Sequence, residues 1–64
     1  MKTIYQYRIV CQHRDRVRTS ASYITVAANP TDALIRFMNW HTQEYPHRRA
    51  YNVICELVAI DGIL

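Results

Sequence analysis

Five side chains of this 64-residue chain are the cysteines and histidines that favour zinc or serve thiol catalysis: Cys11, His13, His41, His47 and Cys55. Paired ligands at short spacing, C-x-x-C or H-x-x-x-H, announce a zinc site because they pre-form half of its tetrahedron. None of the five shows such a pair. Cys11 and His13 share a strand face but are separated by one residue, and His41 falls at a helix–sheet boundary. No metal site is expected on that criterion. A Cys–His nucleophile needs an activated, partly exposed thiol, and both cysteines fall on expected core positions. Gly62 is the single glycine, too few for a phosphate-cradling loop, and five scattered acids form no acid–base pair. The residue types point to a binding protein without catalytic residues or cofactor.

The remaining chemistry is cationic. Eight Lys and Arg against five Asp and Glu give a net charge of +3, with a sequence pI near 9.2. Seven of the eight cations are arginine, the residue whose planar fork matches phosphate and carboxylate. Five of them, Arg14, Arg16, Arg18, Arg48 and Arg49, fall in two short segments. Whether these meet depends on the elements around them.

Residues 3–12 alternate as a half-buried strand, with Tyr5, Tyr7, Ile9 and Cys11 on one face and Ile4, Gln6, Arg8 and Val10 on the other. Residues 18–27 read as a second strand after a polar turn at 14–17. Pairing Ile9 with Ser22, Tyr7 with Ile24 and Tyr5 with Val26 puts apolar residues of both strands on one face. A slip of two residues would keep that agreement. Asn29-Pro30-Thr31-Asp32 is a helix start: a capping Asn, Pro at the first position and an acid in the first turn. The helix is expected over Pro30 to Glu44, with Ala33, Leu34, Phe37, Met38, His41 and Tyr45 on one side, and Pro46 ending it. Residues 50–60 read as a third strand, apolar on both faces except at Asn52 and Glu56.

The order strand, strand, helix, strand predicts a two-layer α+β domain of residues 1–64, a three-stranded antiparallel sheet covered on one face by one helix. Spatial order 2-1-3 is expected, with 1-2-3 as the alternative. This topology brings the 14–17 turn and the 46–49 loop to one end, gathering Arg14, Arg16, Arg18, Arg48 and Arg49 into a basic pole suited to nucleic-acid phosphates or an acidic protein surface. The uncovered sheet face is expected to carry Ile4, Arg8, Val10, Tyr23, Ile54, Val58 and Ile60. That is more apolar than a solvated face should be, and it implies a homodimer or a partner interface. Base stacking by Tyr23 and Arg8 is the RNA-binding alternative, although aliphatic residues outnumber aromatic ones there.

The longest apolar run, Leu57 to Ile60, is far short of the roughly 20 residues that span a bilayer. Gln6 and Arg8 interrupt any secretory core, so a cytoplasmic protein with reduced cysteines and no membrane partner is expected.

The run Tyr23-Ile24-Thr25-Val26-Ala27-Ala28-Asn29-Pro30-Thr31-Asp32-Ala33-Leu34 sets a strand directly before a capped helix. In this and in its strand-strand-helix-strand order, the chain resembles small proteins of bacteriophages and mobile elements, among them some anti-CRISPR inhibitors of the type I surveillance complex. The resemblance implies an inhibitor that occupies a surface of a host protein or nucleoprotein complex, and it carries no functional residue over to this sequence. The basic pole departs from inhibitors that mimic DNA with acidic surfaces. A direct DNA or RNA binder using the arginine pole is the alternative function, and a structural or oligomerisation module the third.

Overall fold

The computed structural model describes residues 3–14 and 18–63. Strand β1 (Thr3–His13) and strand β2 (Ser20–Ala27) precede helix α1 (Pro30–Glu44) and strand β3 (Ala50–Ile63). The sheet order is β2-β1-β3 with both neighbours antiparallel to β1. The architecture is thus an α+β sheet with one helix on it, as the element order predicts.

The helix starts where its capping chemistry sits. Asn29 has extended backbone, and its Oδ1 accepts from the Asp32 N–H at 2.8 Å. Asp32 also places a negative charge beside the unpaired N–H groups of the first turn. At the other end the Tyr45 N–H donates to the His41 carbonyl at 2.8 Å, and Pro46 prevents continuation.

The core lies between α1 and the face of β1–β2 that carries Tyr7, Ile9, Cys11, Ala21 and Ala27. Ala33 and Phe37 of α1 close it. Alanines on both layers let the helix approach the sheet, and the Phe37 ring fills the space between them. Met38, expected on the buried side, is 60% exposed at the margin.

The register of the hairpin corrects the sequence expectation by one residue. Ile9 pairs with Tyr23, Tyr7 with Thr25 and Tyr5 with Ala27. A one-residue shift turns every side chain of β2 over. Tyr23 therefore faces the helix, stacked on Trp40 at 4.8 Å and 25°, and Ile24 and Val26 face outward. Side-chain hydrophobicity alone favours burying Ile24 and Val26. The helix favours the opposite parity, because Ala21 and Ala27 leave room for it and Tyr23 supplies an aromatic partner for Phe37 and Trp40.

Three register shifts interrupt the pairing of β3 with β1, and two of them set which side chains its central part exposes. Asn52 and Val53 lie between the Gln12–Tyr51 and Val10–Ile54 pairs, and Asn52 takes a left-handed φ of 50°. Val58 is an extra residue between the Tyr7–Leu57 and Gln6–Ala59 pairs. Past this bulge Ile60 pairs with Tyr5 and lies on the helix side of the sheet. A 15-residue helix is about 22 Å long, whereas the 14-residue β3 is about 46 Å, matching the 46 Å long dimension of the molecule. The helix covers β1 and β2, where Ala21 and Ala27 are buried, and leaves Leu57 and Ile60 of β3 53% and 68% exposed.

Candidate functional site

Three regions carry the chemistry: a buried polar cluster under the helix, the basic pole beside it, and the bare apolar surface of β3 and the outer sheet face.

The cluster is Cys11, His13 and His41, all buried. Cys11 and His13, two residues apart on β1, project to the helix side, and His41 comes down from the last turn of α1. His13 Nε2 lies 2.7 Å from His41 Nε2 and 3.9 Å from Cys11 Sγ. The three ligand atoms fall within 4.8 Å of one another. His13 Nδ1 is 3.0 Å from Thr19 Oγ1. A Tyr45 ring, 4.8 Å from His13 and 5.2 Å from His41, closes one side. Burial, and then the neighbouring His13, lower the His41 pKa from its ordinary value. Burial raises the Cys11 thiol, opposed by a backbone hydrogen bond from Ala21, and raises Cys55 as well. Both thiols are thereby less reactive as nucleophiles at neutral pH.

Spacing criteria miss this cluster because its third member is 28 residues from the second. The signal present in the sequence is Cys-x-His on a strand, which places both side chains on one face, with a histidine on the buried stripe of the following helix.

The basic pole forms as the topology requires. His13 pairs with Ala50, so Arg14 and Arg49 emerge from adjacent strands at the same end. Arg48 Nη1 donates to Thr19 Oγ1 at 3.2 Å, tying the helix–β3 loop to the hairpin. The Arg14 guanidinium stands 5.4 Å from the Tyr51 ring centroid, and that of Arg48 stands 5.8 Å from Tyr45. Arg18 lies at the base of β2 with a φ of 51°. Arg16 lies outside the described residues. Tyr51 pairs with Gln12, on the face away from the helix, and supports Arg14.

Of the residues expected on the uncovered face, Ile4, Arg8, Val10 and Ile54 are there, with Arg8 and Glu56 forming an exposed ion pair at 3.2 Å. Tyr23 and Ile60 are not, for the reasons of register and bulge given above. Val58 is the bulge residue itself and is exposed. Ile24 and Val26 take the place of Tyr23, which makes the face more aliphatic and removes its aromatic stacking platform.

No protein-family model, no curated protein and no solved structure matches this chain. Among the described residues no helix is long and apolar enough to cross a membrane.

Proposed function

We propose that this chain is a small non-catalytic binding protein that acts by occupying a surface of a protein or nucleoprotein complex, and that it does so as a homodimer. The observation that carries this reading is β3. It exposes Val53, Ile54, Leu57, Val58 and Ile60 on both faces of the strand, and it lies at the edge of the sheet. A long apolar edge strand is a template for another strand. A second copy is a suitable occupant, because antiparallel pairing of β3 with its own two-fold mate aligns like aliphatic segments. The same pairing sets two helices on one face, with Leu57 and Ile60 of both copies in the gap between them. The opposite face of the joined sheet then repeats Ile4, Val10, Ile24, Val26 and Ile54, and serves as the target-binding surface. Surface occupation of this kind needs no catalytic group, which fits the inhibitory role implied by the resemblance to phage-encoded proteins.

Sedimentation equilibrium of the purified chain tests the dimer. The wild type should give twice the chain mass at micromolar concentration, and Leu57→Asp should give a folded monomer. A monomeric wild type, or a Leu57→Asp variant that keeps the doubled mass, overturns the assembly.

A second reading, direct nucleic-acid binding, is favoured by the convergence of Arg14, Arg18, Arg48 and Arg49 beside Tyr45 and Tyr51. It predicts anisotropy of labelled DNA or RNA that collapses between about 50 and 200 mM salt, with a shallower salt slope in an Arg48→Ala/Arg49→Ala variant. Binding without salt dependence, or unchanged by those substitutions, overturns it.

A further inference from the structure

The buried cluster under the helix goes beyond any binding role of the surface. We propose that Cys11 Sγ, His13 Nε2 and His41 Nε2 form a site for a divalent transition metal of the zinc class, which staples the start of the hairpin turn to the end of the helix.

The donor set is one thiolate and two imidazoles, the borderline-soft combination that zinc and cobalt favour over calcium or magnesium. In a tetrahedral site with Zn–N near 2.0–2.1 Å and Zn–S near 2.3 Å, ligand atoms stand about 3.3 Å apart for N···N and about 3.6 Å for S···N. Here the N···N and S···N separations of His13 with its two partners are 2.7 and 3.9 Å. The third separation, Cys11 Sγ to His41 Nε2, is within 4.8 Å, so side-chain rotations that move ligand atoms by about an ångström bring the three to that geometry.

The surroundings fit the same purpose. His13 Nδ1 faces Thr19 Oγ1 at 3.0 Å, so an Nδ1–H donating there leaves Nε2 as the metal-facing lone pair. A hydrogen-bonded far nitrogen is the usual support for a metal-binding imidazole. Thr19 is itself held by Arg48. His41 also lines a groove of about 270 Å³ between α1 and β3, together with Phe37, Met38, Thr42, Val53 and the two arginines Arg48 and Arg49. An ion reaching the cluster from that groove meets His41 first and passes the two guanidinium groups, and water would take its fourth position. Without metal, the 2.7 Å His13–His41 contact holds one proton between two nitrogens. Metal binding removes that proton from His41 Nε2, allows His41 to carry it on Nδ1, and releases the Cys11 thiol proton to solvent.

The sequence separation gives the staple its value. Small domains bury too little apolar surface to be strongly stable and often gain a disulfide or a metal. Here the ligands lie on β1 and at the far end of α1, so the ion closes a long loop.

The test is cobalt titration of the full chain after treatment with a chelator. The wild type should bind one Co²⁺ per chain and show thiolate-to-cobalt charge transfer with the intense visible bands of a four-coordinate ion. Zinc should displace it and raise the melting temperature. Cys55→Ser should keep the charge-transfer band, and Cys11→Ser should lose it. Because Cys11→Ser disturbs a core position, nitrogen-15 spectra of the histidine rings in the zinc-loaded wild type provide a second measurement. They should show Nε2 of His13 and His41 bound to metal, with His47 unchanged. A wild type without the charge-transfer band, a band lost in Cys55→Ser or kept in Cys11→Ser, or metal shifts at His47 alone would overturn the site.

Discussion

The register of β2 is the feature on which the surface assignments turn, and two neighbouring substitutions test it. Tyr23 is partly buried, stacked face to face on Trp40 at 4.8 Å and tilted 6.2 Å from Phe37. Removing its ring should cost about 2–3 kcal/mol, below the 3–5 of a fully buried Phe or Trp but including the aromatic pairing. Ile24, the next residue, is 53% exposed on the opposite face and pairs across from Arg8. Ile24→Asp forfeits some strand propensity and apolar contact, and its new carboxylate stands opposite a guanidinium. The change should stay within about 1 kcal/mol. A chain of this length has a total stability of about 3–10 kcal/mol, so the two outcomes are far apart. With a urea m-value of about 1 kcal/mol/M for so small a domain, Tyr23→Ala should lower the midpoint by about 2–3 M and Ile24→Asp by no more than about 1 M. Circular dichroism at a concentration where both variants are monomeric reads this directly. If Ile24→Asp proves the more damaging of the pair, β2 pairs one residue away from the register described, and the assignment of the outer face fails with it.

Further consequences are smaller in scope. Asn29→Ala removes the cap that accepts from the Asp32 N–H and should cost about 1 kcal/mol in the same assay; an unchanged midpoint would mean the cap contributes nothing. Ala33 is fully buried against the sheet, so Ala33→Leu should overpack the interface by about 1–3 kcal/mol, and a neutral result would refute the close helix approach. The lowered pKa of His41 has a definite sign. The unfolded imidazole takes up a proton as pH falls below about 6.5, while the buried one resists. The metal-free protein should therefore hold its stability above that pH and lose it progressively below, as the titration passes toward the lowered folded value. A His41→Gln variant should show a flatter profile over that window, and an equally steep one would assign the loss to other groups.

Much of the architecture was legible from local signals. The Asn-Pro-Thr-Asp start and the Pro46 stop bound the helix because capping and proline chemistry act within one turn. The alternation of β1 named its buried face, and element order with antiparallel pairing gave the 2-1-3 sheet. That topology in turn brought Arg14, Arg18, Arg48 and Arg49 to one end, since hairpin turn and helix exit must share it. The parity of β2 was not legible in the same way. Ala21, Tyr23, Thr25 and Ala27 alternate as well as Ser22, Ile24 and Val26 do, and the choice rests on what the helix brings to the sheet. Nor were the bulges at Asn52 and Val58, which carry Tyr51 to the outer face and Ile60 to the helix side against simple alternation. The cysteine–histidine cluster was hidden for a related reason. Two of its members lie at strand spacing, but the third arrives from the end of the helix.

The sequence by itself determined where the helix begins and ends and which face of β1 is buried, because caps and periodicity act over a few residues, whereas β3 runs on to Ile63, past the expected end at residue 60. The tertiary structure decided which face of β2 meets the helix, how far the helix reaches along β3 and which distant side chains converge on His13. Those outcomes follow from steric fit between whole layers, which no short window of sequence contains.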